Sequence, residues 1–153
     1  MGFLNFLLGG FPKFSPIKIT DPPRDLTKEQ KFTIISLFAM IQGSSEESSF
    51  DPFAQQIFFE QARLMGLNQN EVARFLQNHT LWNRWRFIQV LKSIRDTDFL
   101  DAIFKRCLRI AQISSDPDII YVLKGVYFDI GYTQEDIVRA WLSDHSIIAT
   151  NSR

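Results

Sequence analysis

The sequence predicts an all-α fold, a single compact bundle of about seven helices. Apolar residues recur at intervals of three and four, which is the spacing of one face of an amphipathic helix. Capping side chains and prolines mark helix starts, and glycines mark helix ends. No stretch of useful length alternates between apolar and polar residues, as a half-buried strand would. The helices are predicted at 28–42, 52–65, 69–77, 81–94, 98–112, 117–130 and 134–143.

The first and fifth predicted helices have the clearest apolar faces. Thr27 and Gln30 form a capping box at the start of the first helix, which ends near Gly43. Its apolar face consists of Ile34, Ile35, Phe38 and Ile41. The face of the fifth helix consists of Leu100, Ile103, Phe104, Cys107, Leu108 and Ala111. This spacing places Lys105, Arg106 and Arg109 on the opposite side of the fifth helix.

Two Asp-Pro pairs begin parts of the chain with the same layout. Aspartate can cap free N–H groups, and proline loses nothing at the first helical position. When Asp51-Pro52 is aligned with Asp116-Pro117, Gly66 falls on Gly131. Apolar positions also coincide: Ala54 with Ile119, Ile57 with Val122, Phe58 with Leu123, Ala62 with Tyr127, Met65 with Ile130, and Val72 with Ile137. The match predicts two pseudo-repeated halves, although shared helix signals alone could produce it.

Composition restricts the class of protein. A chain of 153 residues has the size of one domain and can bury a core without disulfides. Its 17 basic and 17 acidic residues balance, whereas nucleic-acid-binding domains usually carry a basic surplus, so we expect no nucleic-acid partner. The single cysteine fits a reducing compartment, and no apolar run of about 18 residues would span a membrane. The sequence therefore predicts a cytoplasmic protein.

The predicted organisation is a lead segment at 1–25, a helical domain at 26–145 and a tail at 146–153. The lead segment contains Pro12, Pro16, Pro22 and Pro23, which make its second half irregular. Its start is too apolar for an idle tail, and the candidate contact residues there are Phe3, Leu4, Phe6 and Leu7. Either this segment packs back across the helices, or residues 1–15 present an apolar face to a membrane surface or a partner.

The helical layout between Leu26 and Leu142 resembles the TerB-like (tellurite-resistance) family of small bacterial all-helical domains. The resemblance rests on ISLFAMIQGSSEESSFDP followed by RLMGLNQNEV, and on FKRCLRIAQISSDP followed by FDIGYTQEDI. It implies a helical module associated with stress response. At the places where the family carries aspartates suited to a cation, this chain has Gln42 and Gln112, whose neutral amides would hold a hard cation less tightly.

The two acidic loops have two interpretations. Glu46, Glu47 and Asp51 lie in one loop, and Asp116 and Asp118 lie in the other. They are weak candidates for a calcium or magnesium site shared between the halves. Alternatively, Asp51 and Asp116 are helix caps and the other acids are solvated, which the lack of an EF-hand spacing favours. No cofactor is expected.

The densest run of aromatic and basic residues is Trp82 to Phe87. On a helix, Trp82 and Trp85 continue toward Ile88 and are predicted to be buried. Arg84 and Arg86 then lie to one side, where they are candidates for contact with a partner. Such a run can also stack on nucleic-acid bases, but core packing is the favoured interpretation.

No catalytic constellation is visible, because no nucleophile is paired with a base and neither histidine has a ligand at metal spacing. Cys107 is expected in the core, and Gly125 is expected at a close helix crossing. The sequence therefore predicts a non-enzymatic protein-interaction module of TerB-like type, with an unidentified protein partner, near the inner face of a membrane. The alternative is a divalent-cation sensor that uses the acidic loops.

Overall fold

A computed structural model of the chain describes residues 21–43, 51–78, 83–114 and 117–142. Within these residues it contains seven α-helices and no strand. They are α1 (Lys28–Gly43), α2 (Pro52–Leu64), α3 (Gln69–Asn78), α4 (Arg84–Lys92), α5 (Thr97–Ser114), α6 (Pro117–Asp129) and α7 (Gln134–Leu142). The predicted all-α bundle is confirmed. No helix within these ranges is long and apolar enough to cross a membrane.

The core is built on α1 and α5, which pack against each other. α1 also contacts α2, α3, α4 and α6, and α5 also contacts α2, α6 and α7. The predicted apolar faces of both helices are buried. Burial of such aliphatic and aromatic side chains is the main stabilising contribution to the fold. The free thiol of Cys107 is part of this core, as predicted.

Helix starts follow the predicted caps. Asp51 is the N-cap of α2, and its Oδ1 accepts hydrogen bonds from the amides of Phe53 (2.8 Å) and Ala54 (3.3 Å). At α1, the Thr27 amide donates to Gln30 Oε1 at 2.8 Å, and the Gln30 amide donates to Thr27 Oγ1 at 3.0 Å. This reciprocal pair is the capping box that the sequence predicts.

The turns from α2 to α3 and from α6 to α7 share their local geometry. Gly66 has a φ of 79° and Gly131 a φ of 108°, both in the left-handed region that favours glycine. The residue after each glycine donates to a carbonyl near the helix end: Leu67 to Ala62 and Tyr132 to Tyr127, both at 2.9 Å. These bonds satisfy carbonyls that the helix end leaves free.

A second capping box follows each of these turns. Asn68 and Glu71 exchange hydrogen bonds at the start of α3 (3.0 and 2.8 Å), and Thr133 and Asp136 do so at the start of α7 (2.9 and 3.1 Å). The same bonds lower the pKa of Glu71 and of Asp136. The turn signals are therefore confirmed, while the internal duplication as a whole stays a prediction.

Two pairs in the predicted duplication do not match in burial. Met65 is buried, whereas Ile130 is only partly buried, and the pair of Ile57 and Val122 differs more. Ile57 is buried, but Val122 is 38% exposed. The reason is tertiary, because α6 is packed through Ile119, Leu123 and its last turn, which leaves Val122 on the outer side.

Arg106, which the sequence places on the side of α5 opposite its apolar face, is nevertheless buried, with a relative exposure of only 2%. α5 is surrounded by four other helices, so a side that would face water on a peripheral helix faces α2 here. The Arg106 guanidinium donates a hydrogen bond to Gln61 Oε1 on α2. Burial lowers the pKa of Arg106 to about 10.

The close helix crossing predicted at Gly125 is also absent from the described part of the chain. Apart from its two chain neighbours and the backbone of its own helix, no described atom lies within 4 Å of the position that a Cβ would take there. A glycine inside a helix lowers stability because it loses more conformational entropy on folding than other residues. At Gly125, no described neighbour is so close that only glycine would fit.

The two kinds of glycine predict opposite effects of an alanine substitution. Gly125→Ala should raise the free energy of unfolding by about 0.5–1 kcal/mol, because alanine is the better helix former and meets no clash. Gly131→Ala should lower it by about 1–2 kcal/mol, because an L-residue is strained in the left-handed region. Urea unfolding followed by circular dichroism measures both. A loss of stability in both variants would contradict the open surroundings of Gly125.

Candidate functional site

Several predicted site residues fall outside the described part of the chain. These are Phe3, Leu4, Phe6 and Leu7 of the lead segment, and Glu46, Glu47 and Asp116 of the acidic loops. Of the remaining acids, Asp51 caps α2, and Asp118 is exposed in the first turn of α6. In the described ranges, no three His, Cys, Asp or Glu side chains are grouped so that they could hold a metal ion.

The predicted contact residues Arg84 and Arg86 each have an acidic partner within the molecule. Arg84 forms an ion pair with Asp129 at the end of α6. Arg86 binds Glu29 of α1 through two hydrogen bonds of 2.7 and 2.8 Å. Both pairs are about half exposed, so each contributes little to stability. They nevertheless fix the start of α4 beside α1 and α6.

The predicted burial of Trp85 is wrong, because its relative exposure is 69%. α4 begins at Arg84, later than predicted, with Asn83 as its N-cap. Trp85 therefore lies in the first turn, where the described part of the bundle supplies nothing to cover it. The buried side of α4 is formed by Phe87, Ile88, Val90 and Leu91. Trp82 lies outside the described residues.

A groove of about 440 Å³ lies between α1, α3 and α4, and we call it the aromatic groove. Its lining includes Phe32 and Phe75, whose rings stack with centroids 4.5 Å apart, and the buried Phe87. Charged residues at its edge are paired with one another, Lys28 with Glu71 and Arg86 with Glu29. No sequence signal predicts this groove, because it forms only where three helices come together.

A second surface is formed by the outward sides of α6 and α7, and we call it the α6–α7 face. Of the eight large apolar side chains that are exposed in the described part of the chain, six belong to these two helices. They are Tyr121, Val122, Phe128, Val138, Trp141 and Leu142. Tyr121 (71%) and Leu142 (76%) are the most exposed of them. The two helices contact each other, so these side chains lie on neighbouring elements.

Helix spacing aligns the exposed side chains on each of the two helices. Val138, Trp141 and Leu142 are three and four positions apart, which places them on one side of α7. Tyr121 and Phe128 are two helical turns apart on α6, with Gly125 between them. Because glycine has no side chain, a notch lies between the two aromatic rings on that side of α6.

A buried carboxylate holds the α6–α7 face to the core. Asp101 of α5, which is buried, accepts a hydrogen bond of 2.6 Å from Tyr132 Oη. It also accepts hydrogen bonds of 3.2 and 3.1 Å from Nε and a terminal nitrogen of Arg139 on α7. The Arg139 guanidinium lies 5.5 Å from the centroid of the Tyr132 ring. Asp101 thus ties α5 both to α7 and to the turn before it.

The pKa shifts in this network fit a structural role. Burial, followed by the hydrogen bond to Asp101, raises the pKa of Tyr132. The hydrogen bonds to Asp101 raise the pKa of Arg139. Tyr132 therefore stays neutral and Arg139 stays charged through the physiological range, and neither is prepared for proton transfer near neutral pH.

Comparisons with models of protein families, with curated proteins and with solved structures give no match for this chain. The resemblance to TerB-like domains therefore stays a prediction. The surfaces of the chain itself are the basis for a proposed function.

Removal of the Asp101 carboxylate should destabilise the protein strongly. Asp101→Ala would leave the partly buried Tyr132 hydroxyl without its acceptor, while Arg139 would keep Asp136 as a partner. The expected cost is about 1–3 kcal/mol in the free energy of unfolding. Asp129→Ala, which breaks the exposed pair with Arg84, is the matched control and should cost less than about 1 kcal/mol. Urea unfolding measures both variants. Equal costs would show that the buried network is no stronger than a surface pair.

Proposed function

We propose that the protein is a non-enzymatic helical module that binds another protein through the α6–α7 face. The observation that carries the proposal is the concentration of exposed apolar side chains on two adjacent helices. Soluble monomers rarely leave large contiguous apolar areas in water, and such areas commonly mark interaction sites. The face includes Trp141 and Tyr121, and tryptophan and tyrosine are enriched among the residues that dominate binding energy.

The α6–α7 face is held in one arrangement before any partner binds. The turn between the helices is fixed by Gly131 and by the capping box of Thr133 and Asp136. Asp101 fixes α7 to the core through Arg139. A preorganised surface loses less conformational entropy on binding, which supports a contact role for this face.

The charges on α6 and α7 indicate the kind of partner. The acids on these helices are Asp118, Asp129, Glu135 and Asp136, against the bases Lys124 and Arg139. Asp129 is paired with Arg84, and Arg139 is shared by Asp136 and Asp101. When these partners are included, five acids stand against three bases, so an acidic excess of two remains. Such an excess beside an apolar surface favours a partner with the opposite charge. We therefore propose an amphipathic helix whose apolar side is flanked by Lys or Arg, because its cations can also lie over the rings of Trp141 and Tyr121.

Gly125 adds a second reason to place the partner here. The notch between Tyr121 and Phe128 is open in the described part of the chain, so a partner side chain can approach the α6 backbone closely. Arg84, one of the predicted contact residues, lies beside the same surface, because it pairs with Asp129, the residue after Phe128.

The resemblance to the TerB-like family connects this proposal to a biological setting. In that setting the module serves a stress response near the inner face of a membrane, and its partner is a protein of that response. The proposal of an interaction surface rests on the α6–α7 face and does not depend on this setting.

The test uses the full-length chain as bait in cells that make it naturally. A specific partner should be recovered with the wild type and lost with Trp141→Asp, because a buried aromatic contact worth about 2 kcal/mol or more corresponds to a loss of affinity of about 30-fold. Trp85→Asp is the matched control, since it replaces a tryptophan on α4 that is more exposed than Trp141 (69% against 46%). Binding of the purified partner is then measured by calorimetry.

Four further measurements decide the proposal. Association with the purified partner should slow at higher salt, as expected for an acidic face and a basic partner. Gly125→Ala should weaken binding while it stabilises the fold. The proposal fails if Trp85→Asp abolishes recovery as completely as Trp141→Asp does. It also fails if Trp141→Asp only abolishes self-association in sedimentation, since a second copy would then occupy the face.

A further inference from the structure

We infer that the aromatic groove is occupied by the chain's own lead segment, through the apolar side chains between Phe3 and Phe14. The apolar part of its lining consists of Phe32, Phe75, Phe87 and Val90 from α1, α3 and α4, and polar side chains form the rest. The inference concerns a different surface from the α6–α7 face, and it stands or falls independently of the proposed function.

The position of the chain at its first described residues supports this occupant. Asp21 to Asp25 lead into Leu26, which is buried, and into Thr27, which caps α1. The next residues, Lys28 and Glu29, already line the groove. The lead segment therefore joins the domain at the edge of the aromatic groove.

The length of the segment is sufficient to reach along the groove. An extended chain advances about 3.3–3.6 Å per residue, so the stretch from Phe14 to Asp21 reaches up to roughly 25 Å. The part of α1 that lines the groove, from Lys28 to Ser36, spans roughly 12 Å at about 1.5 Å per residue. The residues before Phe14 can therefore lie in the groove without strain in the connection.

The balanced charges at the groove edge suit a segment whose side chains carry no charge. The charged residues at the groove edge are already paired, Arg86 with Glu29 at 2.7 Å and Lys28 with Glu71 at 3.2 Å. Such an edge offers no unbalanced charge to attract a charged ligand, so the groove suits an uncharged apolar one. The side chains from Met1 to Pro12 carry no charge. The acidic α6–α7 face, in contrast, favours basic neighbours, and the first base of the segment is Lys13.

The chemistry of the side chains also matches. The stacked pair of Phe32 and Phe75 offers aromatic surface to the groove. Phe3, Phe6 and Phe11 of the lead segment can pack against such rings in edge-to-face or offset arrangements. Their removal from water supplies the driving force, which a free tail in solvent would forgo.

Paramagnetic relaxation in the full-length chain tests the inference. Asn5→Cys introduces a site for a spin label without removing an apolar side chain. The native Cys107 stays unlabelled because it is buried, and burial raises the pKa of its thiol. We expect the amide signals of Phe32, Phe75 and Val90 to lose most of their intensity, and those of Val138 and Trp141 to keep theirs.

Two controls fix the interpretation. The same label in a chain that also carries Phe3→Asp and Phe6→Asp should leave the groove signals intact, with helical circular dichroism unchanged. A mixture of spin-labelled chains without ¹⁵N and unlabelled ¹⁵N chains should show no loss at the groove, since the contact lies within one chain.

Each other outcome overturns the inference. Loss of groove signals in the mixture would assign the groove to the lead segment of a second copy. Loss at Val138 and Trp141 would place the segment on the α6–α7 face. No loss at any described residue, together with sedimentation of the chain with liposomes of anionic lipid, would make the segment a membrane contact. No loss and no sedimentation would leave it exposed to solvent, against the inference.

Discussion

The structure depends on the burial of α5 on nearly all of its sides. Four helices cover it, so its two buried charged residues must find partners inside the protein. Arg106 donates to Gln61 on α2, and Asp101 accepts from Arg139 on α7 and from Tyr132. These polar contacts fix which sides of α2 and α7 turn inward, which apolar packing alone would specify less strictly.

The exposed α6–α7 face is a consequence of that constraint. Once Arg139 is drawn to Asp101 and Ile137 and Ala140 are buried, helix geometry turns Val138 and Trp141 outward. Polar residues at those positions would fold equally well by this argument. Their apolar character is therefore not explained by the fold of the described residues, and the proposed binding role would account for it.

Local signals made most of the fold predictable from the sequence, and tertiary contacts account for the failures. The caps at Asp51 and Thr27 and the glycine at Gly131 act within one turn of their own helices, so the sequence states them directly. The burial of Arg106 and the exposure of Trp85 do not follow from the sequence, because helical spacing tells which side a residue is on, but not which sides neighbouring helices cover. The aromatic groove and the α6–α7 face each combine residues from separate helices, so no single stretch of sequence predicts either of them.

The two surfaces differ in charge, and this difference separates their occupants. At the aromatic groove, Arg86 and Lys28 neutralise acids of the same molecule, so an occupant gains mainly from the burial of apolar surface. At the α6–α7 face, acids outnumber bases, so an occupant gains further if it is basic. A lead segment without charge near its start fits the first and gains nothing electrostatic at the second. The chain can therefore cover its groove and still present the α6–α7 face to a basic partner.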